Sequence, residues 1–190
     1  LIYNIPVCHL HGGEKTLGNF DESIRHAITK MSHLHLVASE EFKNRVIQLG
    51  EEEQNVQNIG AMGVENVIKQ DFLTKKELEE TLGMELEEEY YVVLFHPVTL
   101  EDGGALKQIQ TLLEVLSEQT KQVIFIGSNS DTDSDKIMSA IEEYTKKHSS
   151  SKVFISLKTS EYHSLVKYSK GLVGNSSSGL IEIPSLKVQT

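Results

Sequence analysis

Six consecutive residues, YYVVLF at 90–95, carry no charge and no turn-former, and VIFIG at 123–127 repeats the pattern. A strand with one wet face alternates polar and apolar side chains. A strand that is apolar throughout is covered on both faces, which is the signature of a parallel sheet packed between helices. The segments between such runs supply the helices. Leu106, Ile109, Leu113 and Leu116 form one stripe at helical spacing, and Ile137, Ile141 and Tyr144 form another. Strand–helix alternation of this kind predicts an α/β fold.

The pattern continues along the chain. Strands are expected at 7–10, 35–38, 56–59, 90–95, 122–126, 153–156 and 172–173. In FDESIRHAITKMSH, Ile24, Ala27, Ile28 and Met31 repeat at helical spacing. Ser39 is placed to cap a helix ending before Gly50. Thr74 and Glu77 have the spacing of a capping box, with Gly83 as the stop. The charged stretch 61–89 is the candidate crossover, dividing the chain into expected domains 1–66 and 67–190.

Charge narrows the partners. The net charge is −10, acidic residues cluster in GEEEQ and ELEEEYY, and no run of Lys and Arg occurs. This argues against a nucleic-acid backbone or an anionic membrane as partner. A small anionic ligand remains compatible, because backbone N–H groups bind phosphate without net basic charge. Cys8 is the single cysteine, so no internal disulfide forms, which suits the cytoplasm. In IPVCHL it reads as a small buried strand residue. No apolar run reaches the ~20 residues needed to span a bilayer. The chain starts at Leu1 in LIYNIPV, which reads as the middle of a fold, and stops on SLKVQT. It is therefore expected to be an internal piece of a longer protein.

Open α/β sheets bind ligands at the carboxyl ends of their strands, and that rule selects the loops. GLVGNSSSGLIEIP places Ser176 and Ser177 where a helix should begin and Glu182 within that helix. Two readings stand: a phosphate cradle with Glu182 taking ribose hydroxyls, or serines that merely cap the helix. His96 follows a strand in FHPVTLE and either meets a phosphate or is satisfied by backbone. Asn129 lies at the same level in GSNSDTDSD, whose acids lack the glycine and terminal glutamate of a calcium loop. The first loop gathers His9, His11, Glu14, Asp21, Arg25 and His26, a candidate acid–base cluster. Asp21 and Arg25 are one helical turn apart, so a plain ion pair is the competing account. His9/His11 and His33/His35 place ring pairs on one strand face, but no third ligand has metal spacing, so no metal is expected.

Taken together, HLHGGE, FDESIRHAITKMSHLHLVA, FHPVTLE and GNSSSGLIEIPS resemble the hydrolysing UDP-N-acetylglucosamine 2-epimerases of sialic acid and related nonulosonate synthesis, over essentially the whole chain. The resemblance implies a glycosyltransferase-B-like fold of two Rossmann-type domains, entered late in the first. It implies conversion of UDP-N-acetylglucosamine and water to N-acetylmannosamine and UDP through a glycal, without cofactor. It assigns His96, Asn129, Ser176, Ser177, Glu182 and the Leu157 backbone to UDP, and His9, His11, Glu14, Asp21 and Arg25 to the sugar end. His11 stands where some members carry a catalytic glutamate, which leaves the owner of that proton transfer open. A UDP-diacetamidobacillosamine 2-epimerase and a UDP-sugar glycosyltransferase of the same fold are the alternatives. Homo-oligomers are common in the family. The 190 residues alone are expected to be inactive.

Overall fold

The computed structural model describes residues 2–16, 20–96, 104–127 and 134–190. Asn129 lies outside the described residues, as do Asp131 and Asp133. The chain forms two compact units, Leu1–Asn66 and Val67–Thr190. Every expected strand forms, with ends within two residues of those read from the sequence.

The first unit carries β1 (Cys8–Leu10), α1 (Asp21–Met31), β2 (Leu34–Val37), α2 (Glu40–Gln48) and β3 (Val56–Asn58). Its three strands are parallel in the order β1-β2-β3, with His9 opposite His35 and His35 opposite Val56. Val37, Val46 and Val56 make its small core, with Phe42 and Ile47 against it. Ser39 caps α2 as expected, its hydroxyl accepting from Phe42 N at 3.2 Å.

One expectation fails here, and one helix turns an unexpected face inward. Cys8 is exposed, not buried, because β1 turns His9 to the helix side and leaves Cys8 and Leu10 on the open face. The helix α1 forms, but its apolar stripe does not face the sheet: Ile24 is 50 % exposed and Met31 44 %. The buried residue of α1 is Thr29. The polar side of α1 carries its contacts instead: Thr29 meets His9 on β1, and Arg25 donates to Glu14 and Thr16 in the loop.

The second unit begins within α3 (Met62–Lys69) and continues through α4 (Lys75–Leu82), β4 (Tyr90–Leu94), α5 (Gly104–Ser117), β5 (Gln122–Ile126), α6 (Ser134–Lys147), β6 (Lys152–Phe154), α7 (Thr159–Lys167), β7 (Gly171–Gly174) and α8 (Ser178–Ile181). The Thr74–Glu77 capping box closes at both ends and Gly83 stops α4 at φ 61°. The four strands are parallel in the order β6-β5-β4-β7. Both faces are covered, as the continuous apolar runs require. Val92, Leu94, Ile124 and Ile126 pack towards α4, α7 and the 3-10 turn Ile183–Leu186. Val93, Val123 and Phe125 pack towards α5 and α6, where Ile109, Leu113, Leu116, Ile137, Ile141 and Tyr144 are buried as their spacing predicts.

Among the described residues no helix is long and apolar enough to cross a membrane.

Candidate functional site

Strand order fixes where a ligand can enter the second unit. The chain leaves β4 for α5 on one face of the sheet and leaves β7 for α8 and the 3-10 turn on the other. Neighbouring strands whose exits diverge open a crevice at their carboxyl ends. The residues at that crevice are His96 after β4 and Gly174–Ser177 after β7. Asn175 ties the two loops together. Its Oδ1 accepts from His96 N at 2.8 Å and its Nδ2 donates to His96 O at 2.8 Å. This pair extends the β4–β7 ladder by one side chain and fixes the backbone of His96.

Beside the crevice lies a cavity of about 350 Å³ lined by His96, Gly127, Leu157, Tyr162, His163 and Glu182, among others. That size is in the range of small-molecule sites. The structure therefore brings together three of the six residues assigned to UDP. Ser176 lines a neighbouring hollow with Leu94, Gly174 and Asn175. A chain of hydroxyls links the two: Ser176 Oγ to Ser178 Oγ at 3.3 Å, and Ser178 Oγ to Tyr162 Oη at 2.7 Å. Burial pushes the Tyr162 phenol above its ordinary pKa, so it stays a neutral hydroxyl.

The serines do not serve as a helix cap. Ser177 occupies the cap position of α8 yet makes no side-chain capping bond, and it is exposed. Ser176 Oγ accepts from Ser178 N at 3.4 Å, a long contact. One detail of the sequence reading is corrected: Glu182 does not lie inside the helix. The helix α8 is only four residues long, and Glu182 sits at its junction with the 3-10 turn. Pro184 at the start of that turn cannot donate to the preceding α-helix, which tightens the backbone there.

In the first unit the loop after β1 is held from α1 and α2. His11 takes φ 59°, and its N–H donates to Leu36 O at 3.0 Å. Its Nδ1 lies 2.7 Å from Glu14 Oε1. Arg25 donates to Glu14 O at 3.2 Å and to Thr16 Oγ1 at 2.9 Å, and Glu22 Oε2 accepts from Thr16 N at 2.8 Å. Arg45 donates to Gly13 O. Within α1 the Glu22 carboxylate lies 3.4 Å from Arg25, and these contacts let Arg25 brace the loop. Asp21 opens α1 at the far end of the same loop.

The contacts of Thr29 favour one tautomer of His9. Thr29 spends its single hydroxyl proton on Arg25 O at 3.1 Å. The 3.2 Å contact between Thr29 Oγ1 and His9 Nδ1 is then donated by the ring. That leaves Nε2 as the lone-pair nitrogen. Burial, with His35 and Arg25 close by, lowers the His9 pKa below its ordinary value, which favours the neutral ring. The His-x-His pairs do not form ring pairs along a strand: β1 ends at Leu10, before His11, and β2 starts after His33. His9 instead meets His35 across the strands, edge to face at 6.4 Å. Among the described residues no group of three His, Cys, Asp or Glu is close enough to hold a metal ion.

Comparison with known proteins decides the family. The sequence profile of the UDP-N-acetylglucosamine 2-epimerases matches residues 1–190. The chain belongs to this family. It is 51 % identical over 191 residues to the polysialic acid biosynthesis protein P7 of Escherichia coli, covering 100 % of this chain and 48 % of that one. It is 44 % identical to the hydrolysing GDP/UDP-N,N'-diacetylbacillosamine 2-epimerase of Campylobacter jejuni, covering 98 % and 49 %. The chain thus spans about half the length of these relatives. In backbone it matches the UDP-GlcNAc 2-epimerase of Neisseria meningitidis solved with UDP-GlcNAc, at a TM-score of 0.78, covering 98 % of this chain and 52 % of that one. At 17 % identity that likeness concerns the fold, which is the glycosyltransferase-B type expected from the sequence.

Three residues of this family member carry the geometry and were not singled out by sequence reasoning. Asn175 was visible only as part of a polar loop, although an Asn just past a strand-ending glycine is well placed to mimic backbone. Thr29 sits among apolar residues of α1 and gives no local signal. His163 is a buried histidine inside α7, marked in the sequence only by its apolar neighbours Leu165 and Val166.

Proposed function

We propose that the full-length protein carrying these residues is a hydrolysing UDP-N-acetylglucosamine 2-epimerase, releasing N-acetylmannosamine and UDP. The observation that carries this is the cavity at the ends of β4, β5 and β6, which is lined by His96, Leu157 and Glu182 together in a chain matching the family throughout. A carboxylate suits ribose hydroxyls, a backbone segment suits a uracil edge, and hydroxyl and imidazole donors suit a diphosphate. The residues of the first unit serve the sugar end. Elimination removes the proton from carbon 2 and breaks the bond from carbon 1 to the diphosphate oxygen. Water then adds across the resulting double bond, and the proton returns to the opposite face of carbon 2. The His9 ring, His11 and the Glu14 carboxylate it contacts are the candidate proton acceptors. Charge that develops on the departing diphosphate is met by Ser176, Ser177 and His96.

A second substrate has a specific observation in its favour. The relative at 44 % identity is named for N,N'-diacetylbacillosamine, so the UDP-activated form of that sugar is the alternative. Supplying the full-length protein with each UDP-sugar and following free 2-epimerised sugar by NMR tests both. Release from neither, with intact UDP-sugar recovered, removes the epimerase reading. Net charge and the lone cysteine support a cytoplasmic enzyme, and a homo-oligomer is the assembly we propose.

Changing Ser176 and Ser177 together to Ala is expected to weaken UDP binding at least about tenfold, the loss of one hydrogen bond to a charged group. The fold should persist, because Ser177 caps nothing and Ser176 makes only long contacts. Titration calorimetry with UDP checks this, and an unchanged affinity removes the serines from the phosphate site.

A further inference from the structure

We infer that His163, held by Gln70, is the positioning residue that aims Glu182 at the ribose hydroxyls of UDP; the inference rests on the UDP reading of the cavity. His163 is 2 % exposed and lines the same cavity as Glu182. Its Nε2 lies 3.5 Å from Glu182 Oε2, and its Nδ1 lies 2.9 Å from the Gln70 side-chain amide. Gln70, His163 and Glu182 are thus joined in series, ending at the cavity.

Proton bookkeeping gives this line a direction. With Gln70 Oε1 on Nδ1, a doubly protonated ring would donate to both partners, yet still strand the Gln70 amide nitrogen. A neutral ring carries its proton on Nδ1 and turns the Nε2 lone pair to a carboxylate oxygen. That arrangement is repulsive, and it leaves Gln70 Nε2 buried without a hydrogen-bond partner among the described residues. A half-turn of the amide exchanges its oxygen and nitrogen. Gln70 then donates to Nδ1, the ring proton moves to Nε2, and Nε2–H points at Glu182. The group left without a partner is now a carbonyl oxygen, which proteins bury more readily than an orphan donor. One rotation therefore removes both the repulsion and the orphan donor. The Gln70 segment is itself anchored: Leu73 N donates to Ser164 Oγ at 3.0 Å, and the Tyr168 hydroxyl donates to Leu73 O at 2.9 Å.

The consequence is selectivity. Glu182 is partly exposed and ends a four-residue helix, so its backbone alone does not fix its carboxylate. A donor on one carboxylate oxygen restrains the rotamer and leaves the other oxygen for two vicinal hydroxyls. Loss of that donor should weaken recognition of the 2'-hydroxyl and leave uracil and phosphate contacts in place.

The test compares UDP with 2'-deoxy-UDP by calorimetry on the full-length protein and on His163→Leu, Glu182→Gln and the double variant. The native protein should prefer UDP by about tenfold, the scale of one hydrogen bond to a charged acceptor. Both single variants should reduce that preference to under about threefold, and the double variant should add nothing to either. The 2'-deoxy-UDP affinity of His163→Leu should fall by no more than about threefold, since only the 3'-hydroxyl contact is left to lose; this also reports that the variant is folded. A full preference for UDP retained in His163→Leu, while Glu182→Gln loses it, overturns the inference and leaves the UDP reading standing. A native protein that binds neither nucleotide overturns the UDP reading, and the inference with it. If His163→Leu loses both nucleotides equally, His163 supports the cavity wall and does not aim Glu182, and the inference again fails.

Discussion

Glu14→Gln in the full-length protein is expected to lower sugar release about 10²–10⁴-fold, the range for loss of a group that moves a proton. UDP affinity should stay within about twofold, because the variant leaves ground-state nucleotide contacts alone. The substitution keeps size and one carbonyl oxygen, so the loop geometry has little reason to change. The backbone of Glu14 is held by Arg25, and that bond does not depend on the side chain. What changes is charge. The carboxylate oxygen 2.7 Å from His11 Nδ1 either takes a proton itself or stabilises the imidazolium formed when His11 takes one. An amide does neither. Steady-state release of free sugar, with UDP affinity measured in parallel, separates the two effects. Native turnover in Glu14→Gln would mean that the His11–Glu14 contact only orders the loop. The same comparison on His11→Gln assigns the step left open by finding histidine where some family members carry glutamate.

The sequence made the second unit legible and the first only in part, for a physical reason. In the second unit both sheet faces are buried, so hydrophobicity alone marks the strands, and each helix stripe faces the core: Ile109, Ile137 and Ile141 are all within it. In the first unit polar contacts decide the orientation. The Ile24–Met31 stripe of α1 was readable as a helix, but the face it presents was not. That face is set by Thr29 bonding His9 and by Arg25 bonding the loop, contacts between residues far apart in the chain. Cys8 was misread for the same reason, since β1 buries His9 instead. The site shows the same division. Ser176 and His96 lie just past strand ends, where a general rule finds them, and Glu182 follows in the same polar loop's short helix exit. Asn175, Thr29 and His163 act through partners 79, 20 and 93 residues away, and no local pattern marks such pairs.

Gly174→Ala is expected to be the most damaging single-methyl change in the second unit. Gly174 ends β7 at φ 149°, a region open to few residues other than glycine. A Cβ there would overlap the Leu94 carbonyl oxygen and stand 2.7 Å from the Leu94 carbonyl carbon. Neither atom can retreat, because β4 is paired with β5 on one side and with β7 on the other. Relief requires prising β7 from β4 at its carboxyl end. Strain and the broken ladder together should cost more than about 3 kcal/mol, lowering the melting temperature by roughly 10 °C or more for a unit of this size. Gly83→Ala supplies the reference. It also has positive φ, 61°, but a Cβ there meets nothing within 4 Å, so only the backbone term of about 1–2 kcal/mol applies. The two variants should therefore differ clearly in thermal melts followed by circular dichroism. They should differ further in ligand binding: separating β4 from β7 breaks the two hydrogen bonds between Asn175 and His96, so any Gly174→Ala protein that still folds should bind UDP weakly, whereas Gly83→Ala should bind it normally. Equal melting temperatures for the two would show that β7 yields at little cost, and that the close approach of Gly174 to Leu94 does not hold the nucleotide loops in register.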